Sequence, residues 1–255
     1  MDSFRYKIIR EIQLKNNDFF VLIYGFIIIW SFPDRGKWAT HSGKYRGNWS
    51  PYIPRNLILR YTNENDWVLD QFLGSGTTLI EAKLLRRNAI GVDVNPEAIN
   101  LSNNNLNFTI QTNSKIFTRQ GNARDISFIK DNSINLICTH PPYADIIKYS
   151  DNIPEDLSHL RYEEFLLAMK DVAAEAKRVL KKNAICAFMI GDIREKGYVR
   201  PLGMETLNIF LKAGFKLKEI IIKEQHNCRS TEYWQKKKKI FLMLAHEYIF
   251  VLEKN

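Results

Sequence analysis

Apolar runs of strand length alternate along this chain with segments of helical spacing, and that alternation limits the possible folds more than any other feature. The apolar runs lie at residues 66–70, 89–94, 133–138, 183–191, 215–223 and 247–252. The helical segments lie at residues 77–87, from Pro96 onwards, at 161–180 and at 202–212. Strands that alternate with helices predict an α/β fold with a doubly wound, mostly parallel sheet. The last two strands have no helix between them and predict a C-terminal antiparallel hairpin.

The composition is consistent with one domain over residues 1–255, with residues 1–30 as an N-terminal extension. The chain has 255 residues, 45% of them hydrophobic, and no linker divides it into two cores. The apolar run at 19–30 is about half the length of a membrane-spanning helix, so we expect a buried segment and no membrane partner. Three widely separated cysteines predict neither disulfides nor a metal site, and they favour a reducing, cytoplasmic compartment. These are Cys138, Cys186 and Cys228.

A glycine turn follows the first strand and opens a helix, in the sequence Asp-Gln-Phe-Leu-Gly-Ser-Gly-Thr-Thr at residues 70–78. Ligands of parallel α/β sheets bind beyond the carboxyl ends of the strands, and glycine lets them approach the backbone. The next strand carries Asp93, whose carboxylate can accept hydrogen bonds from ribose hydroxyls. Thr77 stands where a Walker loop needs lysine, and Leu79 occupies the third glycine position of a dinucleotide fingerprint. The pattern therefore predicts a different nucleoside-containing cofactor.

A second motif, Thr-His-Pro-Pro-Tyr at residues 139–143, follows the strand at 133–138. Proline removes a sheet hydrogen-bond donor and restricts the residue before it, so the chain leaves the sheet stiffly. Backbone carbonyls are then exposed, with an aromatic ring just beyond them. Such an arrangement can accept hydrogen bonds from an amino group and stack a planar base. The motif indicates chemistry on a nucleobase.

The two motifs, in this order and on these elements, resemble those of the amino-group DNA methyltransferases, which modify adenine N6 or cytosine N4. A third segment, residues 40–55, resembles the stretch that precedes the first strand in these enzymes. The resemblance covers residue 31 to the C-terminus. It implies a Rossmann-like methyltransferase fold, S-adenosylmethionine as cofactor, and double-stranded DNA with one base flipped out as substrate.

The resemblance also implies which residues form the site. Asp70, Gly74, Gly76 and Thr77 would line the methionine moiety of the cofactor, Asp93 would hold its ribose, and Asn122 or Asp125 would approach its adenine. The complete set of predicted cofactor-binding residues is Tyr45, Asp70, Phe72, Gly74, Ser75, Gly76, Thr77, Asp93, Asn122, Asp125 and Thr139. No metal is implied.

The predicted catalytic residues are His140, Pro141, Pro142 and Tyr143. An exocyclic amino group is a poor nucleophile because its lone pair is delocalised into the ring, and acceptors for its N–H bonds free that pair. His140 and the Pro141 carbonyl would be those acceptors, and Tyr143 would stack on the base. Most relatives have Asp, Asn or Ser where this chain has His140, so the motif leaves adenine and cytosine both open.

Two other functions are consistent with the sequence: methylation of a base amino group in RNA, and an inactive subunit that only binds nucleic acid. A formal charge of +9 favours a polyanionic partner, although solubility also explains it. The basic insertion at residues 225–239 is one predicted DNA contact, although a solvated edge loop also explains its charge. The cluster of Lys44, Tyr45 and Arg46 is a second candidate surface. A homodimer and a separate specificity or nuclease subunit, as in restriction–modification, both remain open.

Overall fold

The computed structural model describes residues 28–144, 147–151, 153–226 and 242–255. Most of the N-terminal extension (1–30) and of the basic insertion (225–239) lies outside the described residues, as does Cys228. In the described part of the chain, no helix combines the length and the hydropathy needed to cross a lipid bilayer.

The strands of the described residues form one large sheet and one small one. In chain order they are β1 (Ile29–Trp30), β2 (Trp67–Asp70), β3 (Asn88–Asp93), β4 (Ile116–Gln120), β5 (Ile134–Thr139), β6 (Leu180–Ile190), β7 (Ile193–Glu195), β8 (Tyr198–Arg200), β9 (Phe215–Glu224) and β10 (His246–Lys254). Eight of them make the main sheet in the order β1-β9-β10-β6-β5-β2-β3-β4, and β7 pairs with β8. Neighbours in the main sheet are parallel except at β10, which runs antiparallel to β6 and β9.

Helices cover both faces of the main sheet, because successive strand residues point to opposite sides. The helices are α1 (Tyr52–Tyr61), α2 (Thr77–Leu84), α3 (Pro96–Leu106), α4 (Tyr162–Val179) and α5 (Leu202–Lys212). One buried cluster joins Val68 of β2 to residues of α1 and α2. The other joins Leu69, the next residue of β2, to α4 and α5. The doubly wound, mostly parallel sheet with a C-terminal hairpin is therefore confirmed.

The strands and helices predicted from the sequence are all present, but four elements were not predicted. These are α1, β4, β7 and β8, whereas β1 lies at the end of the apolar run at 19–30, where a buried strand or helix segment is predicted. Helix α1 buries Arg55 and Asn56 on its inner side, so its apolar stripe is interrupted. Strand β4 is an edge strand in which no residue is fully buried, and its polar residues hide the strand pattern. Helix α2 ends at Leu84, before the predicted residue 87, because Arg86 adopts a left-handed conformation with φ of 62°.

A fully buried carboxylate, Glu81 of α2, fastens the segment before α1 to the helix that follows the glycine turn. Glu81 Oε1 accepts a hydrogen bond from Trp38 Nε1 at 2.7 Å and lies 2.6 Å from His41 Nε2. Glu81 Oε2 accepts from Arg55 Nη1 at 2.7 Å. One side chain of α2 therefore contacts three residues of the segment at 38–55 and helps to fix it.

We expect Glu81→Gln to lower the free energy of unfolding by roughly 3–5 kcal/mol, because it leaves the buried Arg55 guanidinium without its charged partner. Urea unfolding of the full chain measures the loss. Glu64→Gln is the matched control, since Glu64 pairs with Arg86 at the surface, with 3.8 Å between Glu64 Oε1 and Arg86 Nη1. That change should cost about 0–1 kcal/mol. Equal losses in the two variants would contradict the role given to Glu81.

Candidate active site

A cleft open to solvent lies where β2, β3 and β5 end. The sheet edge explains its position, since parallel strands end there together. Eight of the predicted site residues line it: Tyr45, Asp70, Phe72, Gly74, Ser75, Asp93, His140 and Pro142. The cofactor turn and the start of the proline motif therefore face one cavity.

The glycine turn is tied to the end of β3 by backbone donors. Gly74 and Gly76 have φ of 51° and 86°, a left-handed conformation that favours glycine. The Gly74 N–H donates to Asp93 Oδ2 at 2.8 Å, and the Asn95 N–H donates to Asp93 Oδ1 at 3.0 Å. A carboxylate oxygen can accept more than one hydrogen bond. Asp93 thus helps to fix the conformation of the turn. Its carboxylate lines the cleft and can still accept further hydrogen bonds.

Asp70, at the end of β2, is the buried centre that joins the two motifs. Its Oδ2 accepts from Thr78 Oγ1 at 2.6 Å, and its Oδ1 accepts from Thr139 Oγ1 at 2.7 Å and from the Phe72 N–H at 3.1 Å. Burial raises the pKa of Asp70 to about 6, although these hydrogen bonds lower it. Thr139 is therefore engaged with Asp70 and does not line the cleft.

Four other predicted cofactor residues are placed around the cleft and not in its lining. Gly76 packs against Ser102, and Thr77 Oγ1 donates to Asn48 Oδ1 at 2.5 Å. Asn122 Oδ1 accepts from the Arg124 N–H within its own loop. Asp125 Oδ1 accepts from the Ser127 N–H in the same way. The loop instead presents Gly121 and Ala123 to the cleft, because its polar side chains satisfy its own backbone.

Two tyrosines form one wall of the cleft. The rings of Tyr45 and Tyr149 stack with centroids 6.2 Å apart and an interplanar angle of 22°. Asn95 Nδ2 donates to the Tyr149 carbonyl at 2.8 Å, and a Cβ at Gly47 would overlap Tyr149 Oη. Tyr149, Asn95 and Gly47 were not among the predicted site residues. The only feature of the sequence that indicates a role for Tyr149 is its position in the loop after the proline motif.

At the catalytic end, His140 is packed between two aromatic side chains. Its ring stacks on Trp49 with centroids 5.6 Å apart, and it lies edge-on to Tyr143 at 5.4 Å. Tyr143 and the buried Pro141 do not line the cleft. Burial lowers the pKa of His140 to about 4, so the imidazole is neutral near pH 7. Glu247 and the Gly47 carbonyl act in the opposite direction on this pKa, whereas Lys223 and Arg35 lower it further.

A buried ion pair lies behind Tyr143 and was not predicted. Tyr143 Oη is 3.0 Å from His140 Nε2 and donates to Glu247 Oε1 at 2.6 Å. Lys223 Nζ donates to Glu247 Oε2 at 2.8 Å. Burial raises the pKa of Glu247, but the charge of Lys223 and the hydrogen bonds from Lys223 and Tyr143 act against it, and the pKa is lowered.

We expect Asp70→Asn to change how stability depends on pH. The folded-state pKa of Asp70 is raised to about 6 from 3.8, so its contribution to stability is present below the unfolded pKa and is lost as pH rises through 6. The free energy of unfolding of the variant, minus that of the unchanged protein, should therefore rise by up to about 3 kcal/mol between about pH 4 and 7. Denaturant unfolding of both proteins at a series of pH values measures this difference. His140 is present in both proteins, so its contribution cancels.

Asp125→Asn serves as the control for the pH series. Hydrogen bonds from Ser127 lower the pKa of Asp125, whose carboxylate is exposed. The corresponding difference should be small and opposite in sign. A flat difference for Asp70→Asn would contradict the raised pKa.

The order of the sheet and the position of the cleft define a Rossmann-like methyltransferase fold. The structure is similar to that of an S-adenosylmethionine-dependent methyltransferase from Methanosarcina mazei, with a TM-score of 0.55 and 18% identity, over 78% of this chain and 96% of that one. At that identity the similarity shows the fold alone.

The family is shown by the sequence profile of the DNA methylases, which matches residues 24–104 and 134–255. This chain belongs to that family. It is 44% identical over 71 residues to the Type II methyltransferase M2.LlaDCHI of Lactococcus lactis, covering 28% of this chain and 25% of that protein. It is 28% identical over 131 residues to M.MthZI of Methanothermobacter thermautotrophicus, covering 50% of this chain and 37% of the relative. The matches thus span well under half of either relative's length.

Proposed function

We propose that this protein transfers a methyl group from S-adenosylmethionine to an exocyclic amino group in DNA, adenine N6 or cytosine N4, on a base flipped out of the duplex. The observation that carries the proposal is the shared cleft: His140 and Pro142, from the proline motif, line it together with Gly74 and Asp93, from the cofactor turn. Membership of the DNA methylase family supports DNA as the substrate. The relatives named as Type II methyltransferases favour a restriction–modification setting.

The residues present fit S-adenosylmethionine. The Gly74–Ser75 backbone brings no bulky side chain to the cleft, and the added Cβ at Gly74 would lie 3.1 Å from the Tyr45 ring. Asp93 offers acceptors for ribose hydroxyls, and Gly121 and Ala123 leave room for a flat base. When bound, the cofactor supplies an electrophilic methyl group. This fit supports a cofactor-binding role for Tyr45, Gly74, Ser75 and Asp93.

The target amino group would meet acceptors at the end of β5. A neutral imidazole has one acceptor nitrogen, and burial keeps His140 neutral near pH 7. The Pro141 carbonyl stays the predicted second acceptor, although Pro141 itself does not line the cleft. Flipping the base out of the duplex costs a few kcal/mol. Stacking of the flipped base on an aromatic side chain contributes a free energy of similar size and offsets part of this cost. The stacking role of Tyr143 stays a prediction, since its hydroxyl is held by Glu247 and its ring does not line the cleft.

Basic side chains would bind the phosphates of the DNA. The formal charge of +9 favours phosphate binding, and the basic residues of 225–239 directly follow β9 in the sequence. We also propose that residues 1–255 form a single domain and that the protein acts in the cytoplasm.

The proposed activity is tested by incubating the full chain and deuterated-methyl cofactor with unmethylated genomic DNA and, in a parallel reaction, with unmethylated RNA, each followed by nucleoside mass spectrometry. We expect labelled N6-methyladenine or N4-methylcytosine, and the product identifies the target base. Labelled RNA nucleosides alone would favour an RNA methyltransferase. Cofactor binding without any product, on DNA or RNA, would favour the inactive nucleic-acid-binding subunit.

We expect Asp93→Ala to weaken S-adenosylmethionine binding by about 10- to 100-fold, because a hydrogen bond to a charged group contributes roughly 1.5–3 kcal/mol. Isothermal titration calorimetry without DNA measures the dissociation constant. Glu97→Ala is the control, since Glu97 is exposed in the first turn of α3 and does not line the cleft. Equal affinities of the two variants would argue against Asp93 as a cofactor ligand.

A further inference from the structure

A short hairpin, β7 and β8, follows the main sheet beside the proline motif. Strands β5 and β6 are parallel neighbours, so both end at the edge where the cleft opens. Gly191, the first residue after β6, packs against the Tyr143 ring, since an added Cβ would lie 3.3 Å from Tyr143 Cε2. Strand β7 begins two residues later, at Ile193. The hairpin therefore starts next to the catalytic end of the cleft.

The two halves of the cleft belong to different strands. Gly74 and Asp93, which fit the cofactor, lie at the ends of β2 and β3, whereas His140 and Pro142 follow β5. The sheet runs in the order β3-β2-β5-β6, so the side of the cleft away from the cofactor is the β6 side. A duplex that delivers a base to the end of β5 would approach from this side, because the cofactor occupies the other. The hairpin extends β6 on this same side.

The turn of the hairpin is tight and its base is anchored. Glu195 pairs with Tyr198, so the loop between the two strands consists of Lys196 and Gly197 alone. Both loop residues have positive φ, 49° and 90°, as the two central residues of a type I′ turn do. At the base, Ile193 packs against the buried cluster of α4 and α5. The hairpin is thus short and stiff, and binding a partner would order little additional chain.

An aromatic side chain is exposed at the tip of the hairpin. Tyr198 is 79% exposed, and Val199 beside it is also exposed. An added Cβ at Gly197 would meet no atom of the described residues within 4 Å, so the tip projects into open space. A single exposed apolar residue is common on protein surfaces. The exposure of Tyr198 is therefore informative only together with the position and the charge of the hairpin.

The charge of the hairpin favours nucleic acid over protein as its partner. Residues 193–200 contain three basic residues and one acidic residue, which gives a net charge of +2. The acidic residue, Glu195, is paired within the hairpin, with 3.1 Å between its Oε2 and Arg200 Nη1. Lys196 is exposed in the loop, two residues from Tyr198. Protein interfaces are depleted of lysine, whereas surfaces that bind nucleic acid combine basic residues with aromatic rings.

We propose that the β7–β8 hairpin enters the major groove of the duplex beside the flipped base, and that Tyr198 stacks on a base next to the space that the flipped base leaves. This rests on the function proposed above. A two-stranded β-ribbon fits the major groove, and stacking on the exposed face of a neighbouring base offsets part of the cost of flipping. Lys196, at the tip, binds a phosphate of the same duplex.

Photochemical crosslinking tests the contact without requiring catalysis. The full chain with cofactor is mixed with duplex genomic DNA fragments in which 5-bromouracil replaces part of the thymine, irradiated, and digested with nuclease and trypsin. Trypsin cleaves after Lys196 but not between Arg200 and Pro201, so Tyr198 lies in the peptide of residues 197–212. We expect mass spectrometry to show a nucleotide adduct on Tyr198. Adducts in other peptides only, or no adduct at all, would overturn the proposal.

Substitution of the ring tests the stacking role. Tyr198→Ala should lower kcat/KM for methyl transfer to duplex DNA by about 5- to 150-fold, the range that corresponds to stacking of one base. Transfer to heat-denatured, single-stranded DNA should fall less than about twofold, because no stack is opened there. Tyr198→Phe keeps the ring and should retain the duplex rate within about twofold. Equal losses on both substrates, or equal losses in the two variants, would contradict stacking by Tyr198.

Phe117→Ala is the matched control, because Phe117 is an exposed aromatic residue of the edge strand β4 and does not line the cleft. It should leave both the duplex rate and the adduct on Tyr198 unchanged, and a loss as large as that of Tyr198→Ala would count against the proposal. Sedimentation tests the other occupant: a dimer that Tyr198→Ala dissociates would assign the hairpin to a second copy of this chain and overturn the DNA contact.

The outcomes separate this proposal from the function on which it rests. An adduct on Tyr198 without methylation of DNA or RNA would remove the proposed activity and keep the hairpin as a DNA-binding surface. Methylation of duplex DNA without an adduct on Tyr198 would keep the activity and remove the contact.

Discussion

The hydrogen bonds to Asp70 are the interaction on which the arrangement of the site depends. One carboxylate accepts from Thr78, at the start of α2, and from Thr139, at the end of β5. These two residues belong to the two motifs that define the cleft. Because the carboxylate is fully buried, water cannot replace either hydrogen-bond donor. Losing one of them would therefore cost a large free energy of desolvation. The cofactor turn and the proline motif are therefore held in a fixed relation by a single side chain.

The reversed direction of β10 is what brings Glu247 to the site. The parallel strands present their carboxyl ends to the cleft, whereas β10 presents its start, and Tyr248 pairs with Ile190 at the end of β6. A parallel strand in that place would put its first residues at the far edge of the sheet. The antiparallel strand thus contributes a charged side chain from an element with no cofactor motif.

The sequence predicted the elements with a strong apolar run or a regular helical spacing, and it missed those without one. Strand β5 is mostly apolar and mostly buried, so its sequence alone indicates a strand. Helix α1 buries Arg55 because Glu81, which comes later in the chain, neutralises it. Glu247 and Lys223 are 24 positions apart and meet only through the register of the β9–β10 pair. The local sequence pattern does not indicate which residues of two strands will lie opposite each other. The ion pair therefore could not be predicted from the sequence.

The hairpin connection between β9 and β10 leaves the sheet at Glu224 and returns at His246, next to Glu247. Both ends lie at the edge where the cleft opens, while the paired strands continue into the core below. The β9–β10 pairing from Glu224–His246 down to Phe215–Lys254 sets the register of the two strands, so a change in the length of the sequence between them would leave Lys223 opposite Glu247. Evolution can therefore alter that sequence without losing the cross-strand pair at the edge of the sheet.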